Sequence, residues 1–491
     1  MDPSSLVTEL SSHLILKKIL RFSEKKKARL YLVGGILRDI LLKRKKENPD
    51  VDFCLKGSAI AFGRMLAKEL GAGFVVLDRE HGCCRLVKSF AGKNYTLDFT
   101  DFRGDTIEKD LFCRDFTINA MALGLRGALE RGKPLTLIDP YGGLEDLKKG
   151  VIRMLNGRSF DEDPLRIMRA FSLSCLFGFK IEKKTQQAAR IKRKKLIEVS
   201  SERIRDELFK VLEGPDSFLY LEEMEKMGIF KYIMPELEIT RGIGQGPYHH
   251  LDVFRHTLET LRQYEKLVIE LKRDKEIRDY LDEVVSSQRR RSALVKLGAL
   301  LHDAGKPATL RKIEGKTIFH GHERVGLEIA EGACRRLKLS NDEISSICRM
   351  VLWHLRPGYL ADNKIITARA SFRYFRDTRK EAVGILLLSI ADQRATRGRL
   401  TSKVSRARQE KVAFGLIKEY FKKQKEKHLP RLVNGDDLIR AFKLKPSPLI
   451  GEILRQVEEL QAIGKVTTKP QALKAAKKYL PAPSRNKTKS L

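Results

Sequence analysis

The chain has 491 residues, and at about 150 residues per domain this length predicts roughly three domains. Hydrophobic residues make up 42% of the sequence, which is enough apolar material for several cores. No apolar stretch reaches the roughly 18 residues of a transmembrane helix, and the N-terminus lacks the basic-then-apolar layout of a signal peptide. These features argue against a membrane protein and predict a cytoplasmic one.

The charge balance is strongly positive, because 97 lysines and arginines face 63 acids and leave a net charge of +34. The positive residues recur in runs such as 189–195 and 402–411, which indicates a polyanionic partner; a merely basic, lysine-rich protein is the alternative. The seven cysteines form no CxxC pairs and therefore predict neither a zinc ribbon nor a disulfide framework. Reduced cytoplasmic thiols are the simplest interpretation.

The first part of the chain has the pattern of a mixed α/β domain. An apolar strand at 29–37 runs into Gly34 and Gly35, and a helix is expected at 58–71. Further strands are expected at 51–55, 73–78, 83–88 and 94–100.

From about residue 160 the spacing of apolar residues becomes helical. The predicted helices lie at 163–177, 185–197, 201–213 and 217–228. A histidine-rich helical block at 248–400 is followed by a basic, solvated helix at 403–428 and a small region at 430–480. The last residues, PAPSRNKTKSL, are expected to be disordered.

The first chemical signal combines Gly34–Gly35, Arg38 and the pair Asp50 and Asp52. Two acids separated by one residue on a strand point to the same side, where they can bind divalent ions. Two such ions activate an attacking hydroxyl and stabilise a leaving pyrophosphate. The glycines let the backbone approach phosphates, and Arg38 can pair with triphosphate oxygens. Alone, the acids fit a solvated strand end and the glycines a turn; their order together is much more specific.

At this point the sequence resembles a known family. YLVGGILRDILL followed by PDVDF is similar to the active-site signature of the class II tRNA nucleotidyltransferases and bacterial poly(A) polymerases. Four later segments match further blocks of that family in the same order: CRDFTINAMAL (113–123), DPYGGLEDLKKGVIRML (139–155), DEDPLRIMRAFSLSCLFGF (161–179) and SSERIRDEL (200–208).

The resemblance implies an α+β fold with a polymerase β-like nucleotidyltransferase head, an all-α neck, an HD-type helical domain and a helical tail. The expected boundaries are an N-terminal helical lead 1–28, head 29–150, neck 151–245, HD-type domain 246–400, tRNA-binding tail 401–480 and disordered tail 481–491.

The resemblance also implies roles for single residues. The metal ligands, for Mg²⁺, are Asp50 and Asp52. The nucleotide-binding residues are Gly34, Gly35, Arg38, Arg114, Asp163, Arg166 and Arg169. Asp98 is a candidate third catalytic acid, with Asp101 as its rival; either can simply be solvated.

Asp163, Arg166 and Arg169 are the expected readers of the incoming base. At three-residue spacing they are predicted to lie along one side of a helix. A carboxylate and a guanidinium together can mimic the edge of a complementary base and so replace a nucleic-acid template. The alternative is an ordinary ion pair between Asp163 and Arg166 on a helix surface.

The chain departs from the family in several places. The segment TDFRGDTIEKDLFCRD is short where full CCA-adding relatives carry a longer flexible loop after the equivalent of Arg103. That shortening favours CC addition over full CCA addition, since a pocket without a mobile lever has less means of reshaping between two bases. Cys113 and Ser172 replace arginines found in relatives, which puts affinity and selectivity in question. VVLDREHGCCRLV lacks the glycine–arginine pattern of poly(A) polymerases.

The histidine-rich block has the order H…HD…D of the HD superfamily of metal-dependent phosphohydrolases. Its expected ligands of one divalent ion are His256, His302, Asp303 and Asp392; imidazole and carboxylate do not fix which metal binds. A second ion would use His320, His322 and His354, and the site would be lined by His249 and His250. The alternative is a degenerate bundle that only binds tRNA.

The predicted function is therefore template-independent addition of C nucleotides to the tRNA 3′ end. A full CCA addition would include the terminal A as well. The expected partners are tRNA, CTP, ATP and, for a CC-adding enzyme, a separate A-adding enzyme. The segment LVNGDDLIRAFKLKPSPLIGEIL resembles the tail of the same enzymes and is expected to hold the tRNA elbow, or else is a generic helical cap. The rival functions are a complete CCA-adding enzyme with HD phosphohydrolase activity, an HD phosphohydrolase that docks tRNA through its head, and a non-catalytic RNA-binding protein.

Overall fold

The computed structural model of this chain describes residues 14–44, 48, 50–125, 137–363, 365–426 and 430–480. The expected disordered tail at 481–491 lies outside the described residues. Contacts divide the chain into two units, Met1–Ile233 and Met234–Leu491. Among the described residues, none of the helices combines the length and the apolar character needed to cross a membrane.

A seven-stranded sheet forms the centre of the first unit. Its strands are β1 (Leu30–Val33), β2 (Asp50–Leu55), β3 (Gly73–Asp78), β4 (Cys83–Phe90), β5 (Lys93–Asp101), β6 (Ala122–Gly124) and β7 (Leu137–Ile138). The spatial order is β3-β4-β5-β2-β1-β6-β7. β2 and β5 run parallel, and all other neighbours are antiparallel. The mixed sheet of the predicted head is confirmed.

One face of this sheet is buried by aromatic packing. Phe53 of β2 stacks on Phe99 of β5 with ring centroids 4.8 Å apart. Phe62 contacts Phe99 at 5.6 Å, and Phe22 contacts Phe62 at 5.5 Å. Because side chains alternate along a strand, burial of Val51 and Phe53 on this face turns their neighbours in β2 toward the opposite one.

The helices of the first unit follow the predicted pattern closely. They are α1 (Leu14–Lys25), α2 (Gly35–Leu41), α3 (Ala59–Leu70), α4 (Ile107–Phe112), α5 (Gly143–Lys149), α6 (Ser159–Glu162), α7 (Leu165–Phe177), α8 (Lys183–Lys192), α9 (Ser201–Leu212), α10 (Ser217–Lys226) and α11 (Phe230–Ile233). The predicted helix 185–197 ends early, because 193–198 forms a tighter 3₁₀ turn. The neck is not wholly helical: β8 (Val151–Ile152) pairs in parallel with β9 (Lys180–Ile181).

The second unit is a helical assembly. Its helices are α12 (Pro235–Glu238), α13 (Val253–Glu270), α14 (Lys275–Asp282), α15 (Arg291–Leu301), α16 (Lys306–Thr309), α17 (His322–Arg336), α18 (Asn341–Trp353), α19 (Arg356–Ala361), α20 (Ala368–Thr378), α21 (Ala382–Ala395), α22 (Lys403–Lys425), α23 (Gly435–Phe442), α24 (Pro448–Ala462) and α25 (Lys469–Ala476). Two short hairpins interrupt it, β10 (Val284–Ser286) with β11 (Arg289–Arg290) and β12 (Arg311–Ile313) with β13 (Lys316–Ile318).

The core of the second unit surrounds α21. Every residue of this helix from Ala382 to Ala391 is buried, which is the pattern of a helix enclosed on all sides. The sequence predicted that α22 is solvated, and this prediction is wrong for one face of the helix. Its Ala413, Leu416 and Ile417 are buried in the same core.

The tail region at 430–480 has its own small apolar core and is joined to α20 by a buried charge. Glu459 is only 1% exposed. Its carboxylate lies 2.7 Å from Arg369, 2.8 Å from Arg373 and 3.9 Å from Arg376. Three guanidiniums on one helix face therefore hold α24 against α20.

Replacing Glu459 by glutamine should lower the free energy of unfolding by about 2 kcal/mol, because the buried negative charge that faces three guanidiniums is lost. Urea unfolding followed by the fluorescence of the single tryptophan, Trp353, checks this. The matched control is Glu458→Gln, whose carboxylate is 36% exposed and meets Arg431 at 3.4 Å. Equal effects of the two substitutions would contradict the proposed role of the cluster.

Candidate functional sites

The paired acids of the head lie on the open side of the sheet. Asp50 is exposed, Asp52 is half-buried, and Asp52 stands opposite Asp98 in the parallel pairing of β2 with β5. Asp98 therefore shares the face of Asp50 and Asp52. Asp101 lies on the other face, where its carboxylate accepts the Ala59 N–H at 2.5 Å and caps α3. Burial raises the pKa of the Asp101 carboxyl.

Asp98 is held in place by an arginine that the sequence motifs did not identify. Nε and Nη2 of Arg85 donate to the two carboxylate oxygens of Asp98, each at 2.8 Å. This bidentate contact raises the pKa of Arg85. The sequence predicted strands at 83–88 and 94–100 but not their pairing, and it is the register of β4 with β5 that sets Arg85 directly across from Asp98. The pair fixes the orientation of the third acid beside Asp52.

The backbone at Gly34 lies close to the side chains of Asp52 and Arg114. Its φ of 75° lies in the left-handed region that favours glycine. A Cβ at this position would lie 3.0 Å from Oδ2 of Asp52 and 3.2 Å from Nη1 of Arg114. The missing side chain thus leaves a cradle between a carboxylate and a guanidinium. The carboxylate oxygens fit magnesium, and the guanidinium fits a triphosphate.

Arg38 is almost fully buried and has protein partners. Its guanidinium donates to Oδ1 of Asp39 at 3.0 and 2.8 Å and to Oδ1 of Asn119 at 2.6 Å. It also packs over the ring of Phe177 at 4.6 Å. Arg38, which was predicted to contact the triphosphate, is therefore also a structural link between α2 and the RDFTIN segment.

This link continues to α7, which carries the predicted base readers Arg166 and Arg169. Asn119 donates to Oδ1 of Asp115 at 2.9 Å, and Arg169 donates through Nε and Nη2 to Oδ2 of Asp115 at 2.9 and 2.7 Å. Burial opposes ionisation of Asp115, but Arg169 and Asn119 offset it and lower the pKa of the carboxyl. Asp115 and Asn119 lie within a recognised motif, but the sequence alone predicted no role for either.

The three predicted base readers do not all lie on one helix. Asp163 is extended, with φ −146° and ψ 98°, because the Pro164 ring disfavours a helical conformation in the preceding residue. Its carboxylate pairs with Arg203 at 2.8 Å, while the Arg166 guanidinium donates to the Cys113 carbonyl at 2.7 Å. The alternative of a simple Asp163–Arg166 surface ion pair is therefore not what the structure contains.

Local contacts explain how Cys113 and Ser172 are accommodated where relatives carry arginine. Arg166 contacts residue 113 through its backbone carbonyl, so the cysteine side chain does not affect that bond. The Ser172 hydroxyl donates to the buried carboxylate of Glu207, which also lies 3.6 Å from Arg169. Ser172 thus takes part in holding Arg169 indirectly.

The short connection 102–106 between β5 and α4 is fastened to α4. The Arg103 N–H donates to Asp110 at 3.2 Å, and Nη1 of Arg103 donates to the Cys113 carbonyl at 3.3 Å. Lys109 pairs with Asp105 at 2.9 Å, and the Thr106 hydroxyl caps α4. The Cys113 carbonyl therefore accepts from both this connection and Arg166.

The second candidate site is a cluster of histidines and aspartates in the second unit. It contains two groups whose ligand atoms lie within 4.8 Å of one another: His256, His302 and Asp392, and Asp303, His322 and His354. Oδ2 of Asp303 lies 3.2 Å from His302 and Oδ1 lies 3.3 Å from His322, so Asp303 joins the groups. His320, predicted as a ligand, is exposed and belongs to neither group.

The ring orientation of these histidines suits metal binding. The Nδ1 atoms of His302, His322 and His354 each donate to a backbone carbonyl, at 2.7, 2.8 and 2.7 Å. A carbonyl only accepts, so each Nδ1 carries a proton, and Nε2 is the ring nitrogen that each histidine turns toward the cluster. Burial, followed by the nearby His302 and His322, lowers the pKa of His354 to about 3, which keeps it neutral.

A lysine that the sequence motifs did not identify completes the cluster. Nζ of Lys306 lies 2.6 Å from Oδ2 of Asp303 and donates to Oε1 of Gln245 at 2.5 Å. The sequence signal was its position three residues after Asp303. The donor set of buried imidazoles and carboxylates, brought together at one place, fits transition-metal ions.

Replacing Gly34 by alanine should abolish nucleotide addition, because the new Cβ would press against the Asp52 carboxylate. The left-handed φ also costs about 1–2 kcal/mol of stability. Gly92→Ala is the matched control, since Gly92 has the same φ of 75° and a Cβ there would meet no atom within 4 Å. Incorporation of labelled nucleotide, measured beside thermal unfolding, checks this. Similar activity of the two variants would contradict the close-approach argument.

Comparison with known proteins agrees with this geometry. Residues 30–153 match the family described as the Poly A polymerase head domain, and 178–240 match a probable RNA and SrmB binding site of polymerase A. Residues 253–396 match the HD domain family. A solved Thermotoga maritima CCA-adding enzyme in complex with tRNA superposes with a TM-score of 0.63 at 25% identity, covering 98% of this chain and 99% of that chain.

Two sequence relatives span nearly the whole chain. A CC-adding tRNA nucleotidyltransferase of Thermus thermophilus is 28% identical over 451 residues, 90% of this chain and 91% of the relative. An A-adding tRNA nucleotidyltransferase of Deinococcus radiodurans is 33% identical over 452 residues, 90% of this chain and 93% of the relative. With this identity over almost all of both sequences, the chain belongs to the family of tRNA nucleotidyltransferases.

Proposed function

We propose that this chain extends the 3′ end of tRNA with nucleotides from CTP or ATP and is restricted to one kind of base. The observation that carries the restriction is the five-residue connection 102–106, which is fastened to α4 by Arg103, Asp105 and Thr106. A pocket whose neighbouring segment is held in this way has little means of reshaping between a pyrimidine and a purine.

The residues of the head divide the chemistry among them. Magnesium ions, when bound, activate the tRNA hydroxyl and stabilise the leaving pyrophosphate. Asp50 and Asp52 hold them, and Gly34 admits the triphosphate beside Arg114. The hydroxyl oxygen bonds to the α-phosphorus as the bond to the β-phosphate oxygen breaks. Arg85 keeps Asp98 oriented toward this centre.

Base choice falls to Asp163 and Arg166. The Asp163 carboxylate accepts from Arg203 and Leu165. The Arg166 guanidinium donates to Ser159, Glu162 and Cys113. With about four acceptor positions and about five N–H groups, each keeps some capacity for a base. An acceptor and a donor presented together match the polar edge of cytosine or adenine. Arg166 and Arg103 both donate to the Cys113 carbonyl, so the connection 102–106 also helps to hold Arg166 in place.

The added base could be C or A, and a different observation supports each. Shortening of the connection favours CC addition, which would require a separate A-adding enzyme to complete the same tRNA. The 33% identity to an A-adding relative favours addition of the terminal A. Both differ from complete CCA addition in using one nucleotide.

Incubation with two tRNAs, one ending before CCA and one ending in CC, separates these cases. A CC-adding enzyme should extend the first by two nucleotides with CTP and leave the second unchanged with ATP. An A-adding enzyme should extend only the second, by one. Sizing of the products on a denaturing gel is the measurement, and extension of the first tRNA by three would overturn the one-base proposal.

The HD cluster supports a second activity. We propose that it binds divalent ions through His256, His302, Asp303 and Asp392, joined by His322 and His354, and hydrolyses phosphate esters. The supporting observation is that the backbone carbonyls bound by Nδ1 turn the Nε2 atoms of three histidines toward one cluster. A bundle retained only for tRNA binding would not need this arrangement.

The two activities should separate in reciprocal variants. Asp50→Ala with Asp52→Ala should remove nucleotide addition and leave transition-metal content and phosphate-ester hydrolysis unchanged. His302→Ala with His354→Ala should do the reverse, since it removes one ligand from each group. The measurements are tRNA extension, hydrolysis of p-nitrophenyl phosphate and metal analysis of the purified chains. Loss of both activities in the head variant would contradict the assignment of two independent sites.

A further inference from the structure

The open face of the head sheet carries apolar side chains that neither proposed activity uses. Val75 on β3 and Val87 on β4 are 53% and 52% exposed, and Leu77, two residues after Val75, is 47% exposed. We call these three residues the apolar sheet surface. β3 is an edge strand of the sheet. An edge strand with exposed apolar side chains is prone to aggregate, which indicates that a partner covers this surface during function.

Strand register connects the apolar sheet surface to the acids of the head. Two rows of directly paired residues cross the open face from β2 to β3. One row is Asp52, Asp98, Arg85 and Val75, and the other is Asp50, Thr96, Val87 and Gly73. At about 4.8 Å per strand, β4 and β3 lie roughly 10 and 14 Å from β2. The apolar sheet surface is therefore continuous with the proposed metal ligands.

The geometry of the reaction sets the side from which the tRNA end arrives. The triphosphate is expected between Gly34, which follows β1, and Arg114. β1 lies on one side of β2, whereas β5, β4 and β3 lie on the other. The attacking and leaving oxygens are roughly in line on opposite sides of the reacting phosphorus. The attacking hydroxyl must then approach over β5, and the nucleoside that carries it lies over β4 and β3.

We propose that Val75, Leu77 and Val87 bind the 3′-terminal nucleoside of the tRNA and so position the hydroxyl that attacks. A base has an apolar face whatever its identity, and branched aliphatic side chains can contact this face without reading its polar edge. Gly73, opposite Val87, adds no side chain above this surface. The surface therefore accepts tRNA ends with different terminal bases.

Arg85 gives the same surface a phosphate contact. Its side chain is 43% exposed, and its Nη1 takes no part in the bidentate contact with Asp98. The phosphate that joins the last two nucleotides of the tRNA can accept from this guanidinium, at the boundary between the acids and the apolar sheet surface. The inference rests on the proposed role of Asp50 and Asp52 and adds the residues that hold the tRNA end beside them.

The test compares Val75→Ser with Val87→Ser against the control Leu14→Ser with Met65→Ser. Leu14 and Met65 are 57% and 43% exposed and lie on α1 and α3, which pack on the other face of the sheet. The sheet variant should raise KM for tRNA roughly fivefold or more and leave KM for the nucleotide unchanged, because only the tRNA end loses apolar contact. The control should change neither constant, and isoleucine at both valine positions should preserve KM for tRNA.

Binding of tRNA without nucleotide separates this inference from the proposed role of the acids. In filter binding, the sheet variant should bind a tRNA with its unpaired 3′ end more weakly than the wild type does. It should bind a tRNA shortened to its last base pair as well as the wild type. Thermal unfolding should hardly differ between the variants, because all four positions are exposed.

Unchanged affinity, or an equal loss with both tRNAs, would overturn the inference. An equal rise of KM for tRNA and for the nucleotide would also overturn it, since this would indicate general damage to the site. Light scattering tests a different occupant of the surface. A wild-type dimer that the sheet variant converts to a monomer would show that a second copy of the chain covers the apolar sheet surface, against the proposal.

Discussion

The buried carboxylate of Asp115 is the contact on which the head site depends. It accepts hydrogen bonds from Arg169 of α7 and from Asn119 of its own segment. The Asn119 side chain in turn accepts a hydrogen bond from Arg38 of α2. The segments proposed to bind phosphate and to read the base are therefore joined by one hydrogen-bonded chain. A charge that is buried and fully paired is costly to disturb, so this chain fixes the relative positions of the elements that it joins.

The backbone around Cys113 is restrained in a similar way. Its carbonyl accepts hydrogen bonds from Arg166 and Arg103, which belong to the reader and to the connection after β5. In the proposed function, this held backbone fixes the side chains that would choose the base. The residue at position 113 is accordingly free to be cysteine in place of arginine, because its backbone carries the contact.

Alternation and helical spacing predicted most elements of the head. Motifs with a chemical reason singled out acids that share one face of β2 and β5 and residues that meet in the HD cluster. Features that depend on tertiary packing were not predicted. Asp163 was expected on a helix because spacing alone ignores the effect of Pro164 on its predecessor. The pairing of Arg85 with Asp98 depends on strand register, and the burial of one stripe of α22 depends on long-range contacts that charge composition conceals. His320 resembles a ligand in sequence, and only the position at which α17 begins leaves its ring exposed.

The parallel pairing of β2 with β5 has a consequence for the biogenesis of the enzyme. Parallel neighbours need a crossover, and here residues 56–92, which contain α3 and the β3–β4 hairpin, lie between the two strands. Contacts between residues so far apart in sequence form more slowly than local ones. On the ribosome Asp52 is made well before Asp98, so the two acids can lie side by side only after the whole crossover has been synthesised.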